Sequence, residues 1–212
     1  MSQRGTFKTA LGHFNSWCLS RLDGPMHRAL GERKRAMFAD LPERILEIGP
    51  GLGANFRYYA PGTHVVALEP SPFMHDALRS AALRYDLSLE IVESWAEKLS
   101  LEEASVDAVV GTLLLCSVRA PKQVMAQVRR VLKPGGKFVF LEHVAAPAGS
   151  ARRLVQGALA PPWRVLFEGC EPNRNTRALI ESSGFSQVHV DEYVARSPYY
   201  PINSQIAGWA AK

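Results

Sequence analysis

Cysteine is scarce in this chain of 212 residues: only Cys18, Cys116 and Cys170. The number is odd, the three stand far apart and no C-x-x-C pair occurs. Such spacing supports neither a disulfide framework nor a zinc site, so no metal is expected. Cys116 and Cys170 read as small packing residues. Long apolar runs are missing as well. The longest, around Val109 to Val118, falls short of the about 20 residues that cross a bilayer. No secretory apolar core opens the chain. No stable membrane insertion and a reducing, cytoplasmic setting are the expectation. Nor is charge of one sign segregated. Lys and Arg number 25 against 20 Asp and Glu, a net charge of +5. The bases come as short groups (Arg33-Lys34-Arg35, Arg129-Arg130, Arg152-Arg153) with acids between them. No basic stripe for a nucleic acid results.

The residues that are plentiful suit one folded domain. Hydrophobic residues make up 47% and charged residues 21%, and no repeat, low-complexity tract or linker divides the chain. Residues 41–212 are expected to form this domain, with residues 1–40 as a helical cap belonging to it. After Pro42, short β-rich runs alternate with helical stretches. Strands are expected at Arg44–Ile48, Thr63–Glu69, Leu87–Val92, Val106–Gly111 and Lys137–His143. Helices are expected at Gly53–Tyr59, Ser71–Arg84 and Pro121–Leu132, the last stopped by Pro134-Gly135-Gly136. Strands that read as continuous apolar runs between helices imply an α/β fold: a doubly wound, mostly parallel sheet covered on both faces. A helix over Thr176–Ser183 and two further strands, Gln187–Val194 and Ser204–Ala211, finish it with an antiparallel pair. At the start, Phe7, Ala10, Leu11, Phe14, Trp17, Cys18 and Leu22 repeat at helical spacing. That stretch reads as a helix packed on the sheet edge, a lid over a ligand, or a foot on a membrane surface.

Gly49, Gly51 and Gly53 fall where the first strand must turn toward a helix. Glycines there permit a tight turn and let backbone approach a ligand. With Ala54 the loop also satisfies G-x-G-x-x-G/A, a dinucleotide pattern. Glu69, twenty positions after Gly49, can hold the ribose diol of NAD or of S-adenosylmethionine (SAM) equally well. Three features favour SAM. Glu47 puts a carboxylate where it would repel a pyrophosphate but not the cationic ammonium and sulfonium of SAM. Ser94-Trp95-Ala96-Glu97-Lys98-Leu99 makes a polar turn suited to an adenine edge, with Trp95 able to cover the ring. The helix running into Val131-Leu132-Lys133-Pro134-Gly135-Gly136 before a strand is the third.

Through LEIGPGLG (46–53), VVALEP (65–70), SWAEKL (94–99) and VLKPGG (131–136) the chain resembles the class I SAM-dependent methyltransferases, whose fold is Rossmann-like. Gly53-Ala54-Asn55-Phe56, Thr112 to Val118, Val128 to Gly136, Glu142-His143-Val144-Ala145 and Gly169-Cys170 resemble the alkyl-thiol S-methyltransferases within them. The resemblance implies a seven-stranded sheet of order 3-2-1-4-5-7-6 and methylation of a small thiol to a thioether. It assigns Glu69 to the ribose, Gly49, Gly51 and Gly53 to the methionine part, and Ser94, Trp95 and Ala96 to adenine, with Pro70 also counted as cofactor-binding. Thr112 and Leu113 would lie beside the cofactor. Membrane-bound relatives carry an apolar anchor at the N-terminus, where this chain has the amphipathic stretch.

Methyl transfer from a sulfonium is an in-line displacement that needs position above all. A thiol acceptor is a few per cent thiolate at neutral pH, and a nearby cation or base raises that share. His143 is the candidate base, or else a side chain that orients its loop or bonds Glu142. Arg174 is a candidate to attract an anionic acceptor, or a surface residue at a helix start. Trp163, Phe167 and Trp17 could wall an acceptor pocket or belong to the core. Two rivals stand beside S-methylation: transfer to N or O of a quinone- or phospholipid-type acceptor, and a non-catalytic SAM-binding module. A monomer or homodimer is expected.

Overall fold

The fold is built on the seven-stranded sheet that the alternation of elements predicts. In the computed structural model residues 3–167, 169–197 and 200–212 are described, with the side chains of 16, 17, 19–167, 169–197 and 201–212. Strands β1 (Arg44–Ile48), β2 (His64–Leu68), β3 (Ser88–Val92), β4 (Val106–Thr112), β5 (Leu132–His143), β6 (Gln187–Val194) and β7 (Ser204–Ala211) stand in the order β3-β2-β1-β4-β5-β7-β6. Neighbours from β3 through β5 run parallel, and β7 is antiparallel to both β5 and β6. The strand order reverses between β1 and β4, so a crevice opens at their carboxyl ends, where open α/β sheets bind ligands.

Alternation along the strands sorts side chains to two faces. Leu46, Ile48, Val66, Leu68, Val109, Phe138 and Phe140 pack with Val124, Met125, Val128 and Val131 of helix α3 (Pro121–Val131). Ile45, Val65, Ala67, Val110 and Val139 pack on the other face with Leu78 and Ala82 of α2 (Pro72–Arg84) and Phe38 of α1 (Gln3–Phe38). Burial of such side chains stabilises the sheet by about 1.5–3 kcal/mol each.

The expected strands fall within a residue of those observed, with one exception in detail. The chain of β5 begins at Leu132, but its register on β4 jumps between Val106 and Ala108, so Lys133-Pro134-Gly135-Gly136 bulges out and continuous pairing resumes at Lys137. Two differences are larger. No α-helix forms over Gly53–Tyr59: the loop turns on, and only Phe56–Tyr58 closes a single 3-10 turn. Gly53 lies at φ 78° and the Asn55 side chain is drawn inward, so helical hydrogen bonds cannot start there. Helix α4 (Ala151–Leu166) is the other, because Gly157, Pro161 and Pro162 read as breakers. A short α5 (Thr176–Glu181) follows it.

The start of the chain is one long helix, α1. Phe7, Ala10, Leu11, Phe14 and Cys18, on which the amphipathic reading rests, have side chains outside those described. In its second half Leu30 and Phe38 are buried against the sheet. No helix of the described residues is long and apolar enough to cross a membrane.

Candidate active site

The glycine loop leaves β1 at the strand-order reversal. Gly49, Gly51 and Gly53 all have positive φ, 67°, 57° and 78°, a region costly to residues with a Cβ. A Cβ on Gly49 would stand 2.8 Å from Leu114 Cδ1, and one on Gly53 3.0 Å from Ala81 Cβ. Conformation therefore demands glycine at all three, and at Gly53 the room beside Ala81 and Phe56 is tight as well. Glu69 lies at the end of β2 and is 6% exposed. Its Oε2 accepts from the Gly51 amide at 3.1 Å and its Oε1 from the Ser71 amide at 2.9 Å. Pro70 lies between these contacts.

Ser94, Trp95 and Ala96 follow β3 on the same edge. Ser94 Oγ donates to the Lys98 carbonyl at 3.0 Å, and Ala96 is buried at the start of a 3-10 turn. Glu97 accepts the Arg119 and Ala120 amides at 3.0 and 3.2 Å, which fixes this turn to the start of α3. Trp95 is 58% exposed, with the Arg119 guanidinium 5.6 Å from its ring centre. Thr112 ends β4, and Leu113 holds φ 54°, strained for a leucine. Its amide donates to the Leu141 carbonyl at 2.8 Å.

Glu47 is a correction. It does not face the crevice: Asn55 Nδ2 donates to its Oε1 and Tyr59 Oη to its Oε2, both at 2.7 Å. Lys34 of α1 completes this buried line through Asn55 Oδ1 at 2.7 Å, and Asn55 Nδ2 also reaches Thr112 Oγ1 at 2.9 Å. Burial pushes the Glu47 carboxyl up to about 7 and the Lys34 ammonium down to about 8, each eased by the other's charge. The parity of β1 is the reason, since Glu47 shares the face of Ile45, toward α1. Lys34 and Tyr59 carry no signal in the sequence, and Asn55 stands out only within Gly53-Ala54-Asn55-Phe56. Further contacts hold α1 along the segment after the loop: Asp23 pairs with Arg57 at 2.5 Å, and His27 Nδ1 meets Tyr58 Oη at 2.5 Å. Leu19 lies 3.8 Å from where a Gly51 Cβ would be.

At the ends of β4 and β5 the fold assembles a second group. His143 is 2% exposed, and its Nε2 lies 3.1 Å from Cys170 Sγ. Trp163 Nε1 donates to the same sulfur at 3.2 Å. Cys116, His143 and Cys170 place their ligand atoms within 4.8 Å of one another, all buried. Backbone holds the two cysteine segments together: the Glu171 amide donates to the Cys116 carbonyl at 2.9 Å. Hydrogen bonds from Cys116, then His143 and Trp163, pull the Cys170 thiol well below its ordinary range. Cys116, hydrogen-bonded to Cys170 and wholly buried, is pushed up. Distance along the chain hides this cluster: 27 positions separate His143 from Cys170, and the fold brings them together. Glu142, also buried, accepts the Leu114 and Leu115 amides through Oε1 at 2.9 and 3.0 Å, while its Oε2 has no hydrogen-bond partner among the described residues. Burial raises its carboxyl to about 7.

Arg174 is the other correction. Its guanidinium donates to the carbonyls of Leu115 and Val118 and pairs with Glu171 at 3.1 Å. Those contacts hold the 115–118 turn and leave Arg174 a positioning residue, not a free cation for an acceptor. Of the aromatic candidates, Trp163 and Phe167 stack on each other with ring centres 4.3 Å apart, and Trp17 is mainly exposed on α1.

The family described as methyltransferase domain matches residues 46–140. A thiol S-methyltransferase of Rattus norvegicus is 34% identical over 207 residues, 92% of this chain and 85% of that protein. One of Homo sapiens is 32% identical, with 100% of this chain and 91% of that protein covered. Among solved structures, a SAM-dependent methyltransferase of Thermotoga maritima, described as a possible histamine N-methyltransferase, superposes with a TM-score of 0.70. It shares 18% identity over 96% of this chain and 99% of its own, a likeness of fold.

Proposed function

The chain belongs to the SAM-dependent methyltransferases, and from that premise we propose that it transfers the methyl group of SAM to the sulfur of a small thiol. One observation carries the reading: the likeness to thiol S-methyltransferases runs along nearly the whole chain rather than through the cofactor motifs alone. In this reading Gly49, Gly51 and Gly53 receive the methionine part of SAM. Glu69, braced by the Gly51 and Ser71 amides, accepts both ribose hydroxyls, and Pro70 fixes the backbone beside it. Ser94, Trp95 and Ala96 frame adenine. Thr112 and Leu113 border the sulfonium, and the acceptor enters over the ends of β4 and β5. Glu47 supports the loop from behind.

The reaction needs no covalent enzyme intermediate. The thiol gives its proton to solvent, its sulfur attacks the methyl carbon in line, the methyl–sulfonium bond breaks with its electron pair passing to the sulfonium sulfur, and S-adenosylhomocysteine leaves. Holding the pair at near-attack distance supplies several kcal/mol of the barrier. His143 alone is poorly placed as the base, because Nε2 faces Cys170 and the ring is buried.

Transfer from tritiated SAM tests this across sulfide, methanethiol, alkyl and aryl thiols, amines and phenols. Labelled thioether is the expected product. Label confined to amines or phenols would transfer the assignment to the N- or O-methylating reading.

A further inference from the structure

Cys116, His143 and Cys170 form a buried group that the SAM half of the site does not use. We propose that these three side chains bind a borderline-soft divalent cation of the zinc class, and that its open fourth position takes the acceptor thiol. The second clause rests on the thiol reading above.

Geometry comes first. The three ligand atoms lie within 4.8 Å of one another. Tetrahedral zinc, with sulfur at about 2.3 Å and nitrogen at about 2.0–2.1 Å, has ligand-to-ligand edges of about 3.5–3.8 Å. Seating such a cation closes the longest edge of the trio by about 1 Å at most and opens the 3.1 Å edge between His143 Nε2 and Cys170 Sγ by about 0.4 Å. Three protein ligands plus one open position is the pattern of catalytic rather than closed structural zinc. The surroundings fit a metal thiolate. Trp163 already donates to Cys170 Sγ at 3.2 Å, the kind of hydrogen bond that orients a ligating sulfur. Two buried atoms here have no hydrogen-bond partner among the described residues, Nδ1 of His143 itself and Oε2 of the adjacent Glu142. A ligating imidazole is neutral and carries its proton on the nitrogen away from the metal. A dication next to Glu142 would compensate a buried carboxylate that has no ion-pair partner among the described residues. Location is the last point. Cys116 Sγ lies 3.3 Å from the Leu113 carbonyl, and Leu113 is the strained residue that borders the sulfonium.

The chemistry balances. A thiol binds the cation as thiolate, and its proton leaves to water. The sulfur lone pair forms the new bond to the methyl carbon. The old carbon–sulfur bond breaks with its electron pair returning to the sulfonium sulfur, which becomes neutral S-adenosylhomocysteine. The thioether formed is a weak ligand and departs, and the cation keeps its charge throughout.

The test uses the full chain, reduced and stripped with a chelator, titrated without oxygen with cobalt(II) as a coloured stand-in for zinc. One cobalt per chain is expected, with thiolate-to-cobalt charge transfer and the visible bands of a tetrahedral site. Cys116→Ser and Cys170→Ser should each lose the charge-transfer intensity or weaken binding at least tenfold, and His143→Ala should alter the visible bands. SAM affinity in each variant serves as the folding control, because the glycine loop lies outside the trio. Ethanethiol should shift the visible bands of the wild type. Zinc should raise thiol methylation by the stripped protein at least tenfold. No cobalt bound by the wild type, or identical spectra in all three variants, overturns the site. Bands untouched by ethanethiol, or a full methylation rate without metal, overturn the open position. A tetrahedral cobalt spectrum in a protein that methylates no thiol sustains the site and sinks the acceptor reading instead.

Discussion

The carboxyl edge of the sheet has two halves that differ in how they are built. Over β1, β2 and β3 the site is mostly backbone: a glycine loop, two amides braced on Glu69 and a turn after β3. Over β4 and β5 it is mostly side chain: Cys116, His143 and Cys170, with Glu142, Arg174 and Gln156 holding the surrounding loops. A backbone site tolerates much variation around fixed glycines and one acid, so it suits a cofactor that never changes. A side-chain site can be altered residue by residue, and acceptor identity can change with it while the fold stays.

The largest effect that should separate the halves is at Glu69. In the proposed reading Glu69→Ala removes two charge-assisted hydrogen bonds to the ribose, and it orphans the Gly51 and Ser71 amides. SAM affinity by calorimetry should fall about a thousandfold, near 4 kcal/mol. Melting should change far less, because Glu69 touches loops rather than core. A fall of only a few-fold would take Glu69 out of the ribose contact.

Gln156 gives the converse. Its amide, wholly buried in α4, accepts from the Ala146 amide at 2.7 Å and donates toward the carbonyls of Val144, Pro172 and Pro201 at 2.9–3.1 Å. Gln156→Leu leaves those groups unpaired at a cost of about 3 kcal/mol, which should lower the melting temperature by about 6–12 °C. SAM affinity of the folded protein should stay within about twofold while thiol methylation drops. A matching loss of SAM binding would show that the halves are one unit.

The cofactor half is legible because its signals are local. Gly49, Gly51 and Gly53 sit between a five-residue apolar strand and a turn, and Glu69 ends the next strand at a fixed distance. The periodicity of β1, β2 and α2 needs no long-range knowledge. The acceptor half depends on contacts that span 27 residues for His143–Cys170 and 45 for Gln156–Pro201. Even a correct sequence of elements does not place those side chains together. Helix α4 hides behind Gly157, Pro161 and Pro162, and its exposed Leu154, Val165 and Leu166 break the amphipathic pattern that marks a packed helix. Glu47 escapes for a different reason. Its place at the end of β1 is plain in the sequence, but a period-two strand sends alternate side chains to opposite faces, and it faces Tyr59.

That buried acid yields a smaller, pH-dependent effect behind the cofactor half. The groups around Glu47 are Lys34 from α1, Tyr59 and Asn55 after the loop, and Glu69. Its folded pKa of about 7 exceeds the ordinary 4.5. Between those values the folded state holds the proton that the unfolded chain has released, so this group's contribution is full below pH 4.5 and is lost as pH rises to 7. Lys34, lowered to about 8 from 10.5, acts oppositely, and its penalty is relieved as pH rises from 8 to 10.5. Together they place a shallow minimum of stability near pH 7–8. Glu47→Gln should flatten the decline between pH 4.5 and 7 by on the order of 2 kcal/mol in urea denaturation. The same slope in the variant would assign the decline to Glu142 or another acid.

Trp95 offers the finest discrimination within the cofactor half. It is 58% exposed, and the Arg119 guanidinium lies 5.6 Å from its ring centre. If the ring covers adenine, Trp95→Ala loses one stacking face. About 1 kcal/mol, or a fivefold rise in the dissociation constant of SAM, should follow. Trp95→Phe should recover most of that loss, whereas removing Arg119 alone should not reproduce it. S-adenosylhomocysteine, which shares the adenine but lacks the methyl group, should lose affinity in equal measure. A fivefold loss for SAM with none for S-adenosylhomocysteine would move Trp95 from the adenine to the charged end of the cofactor, and the backbone-built half would then contain one side chain that senses the reacting group.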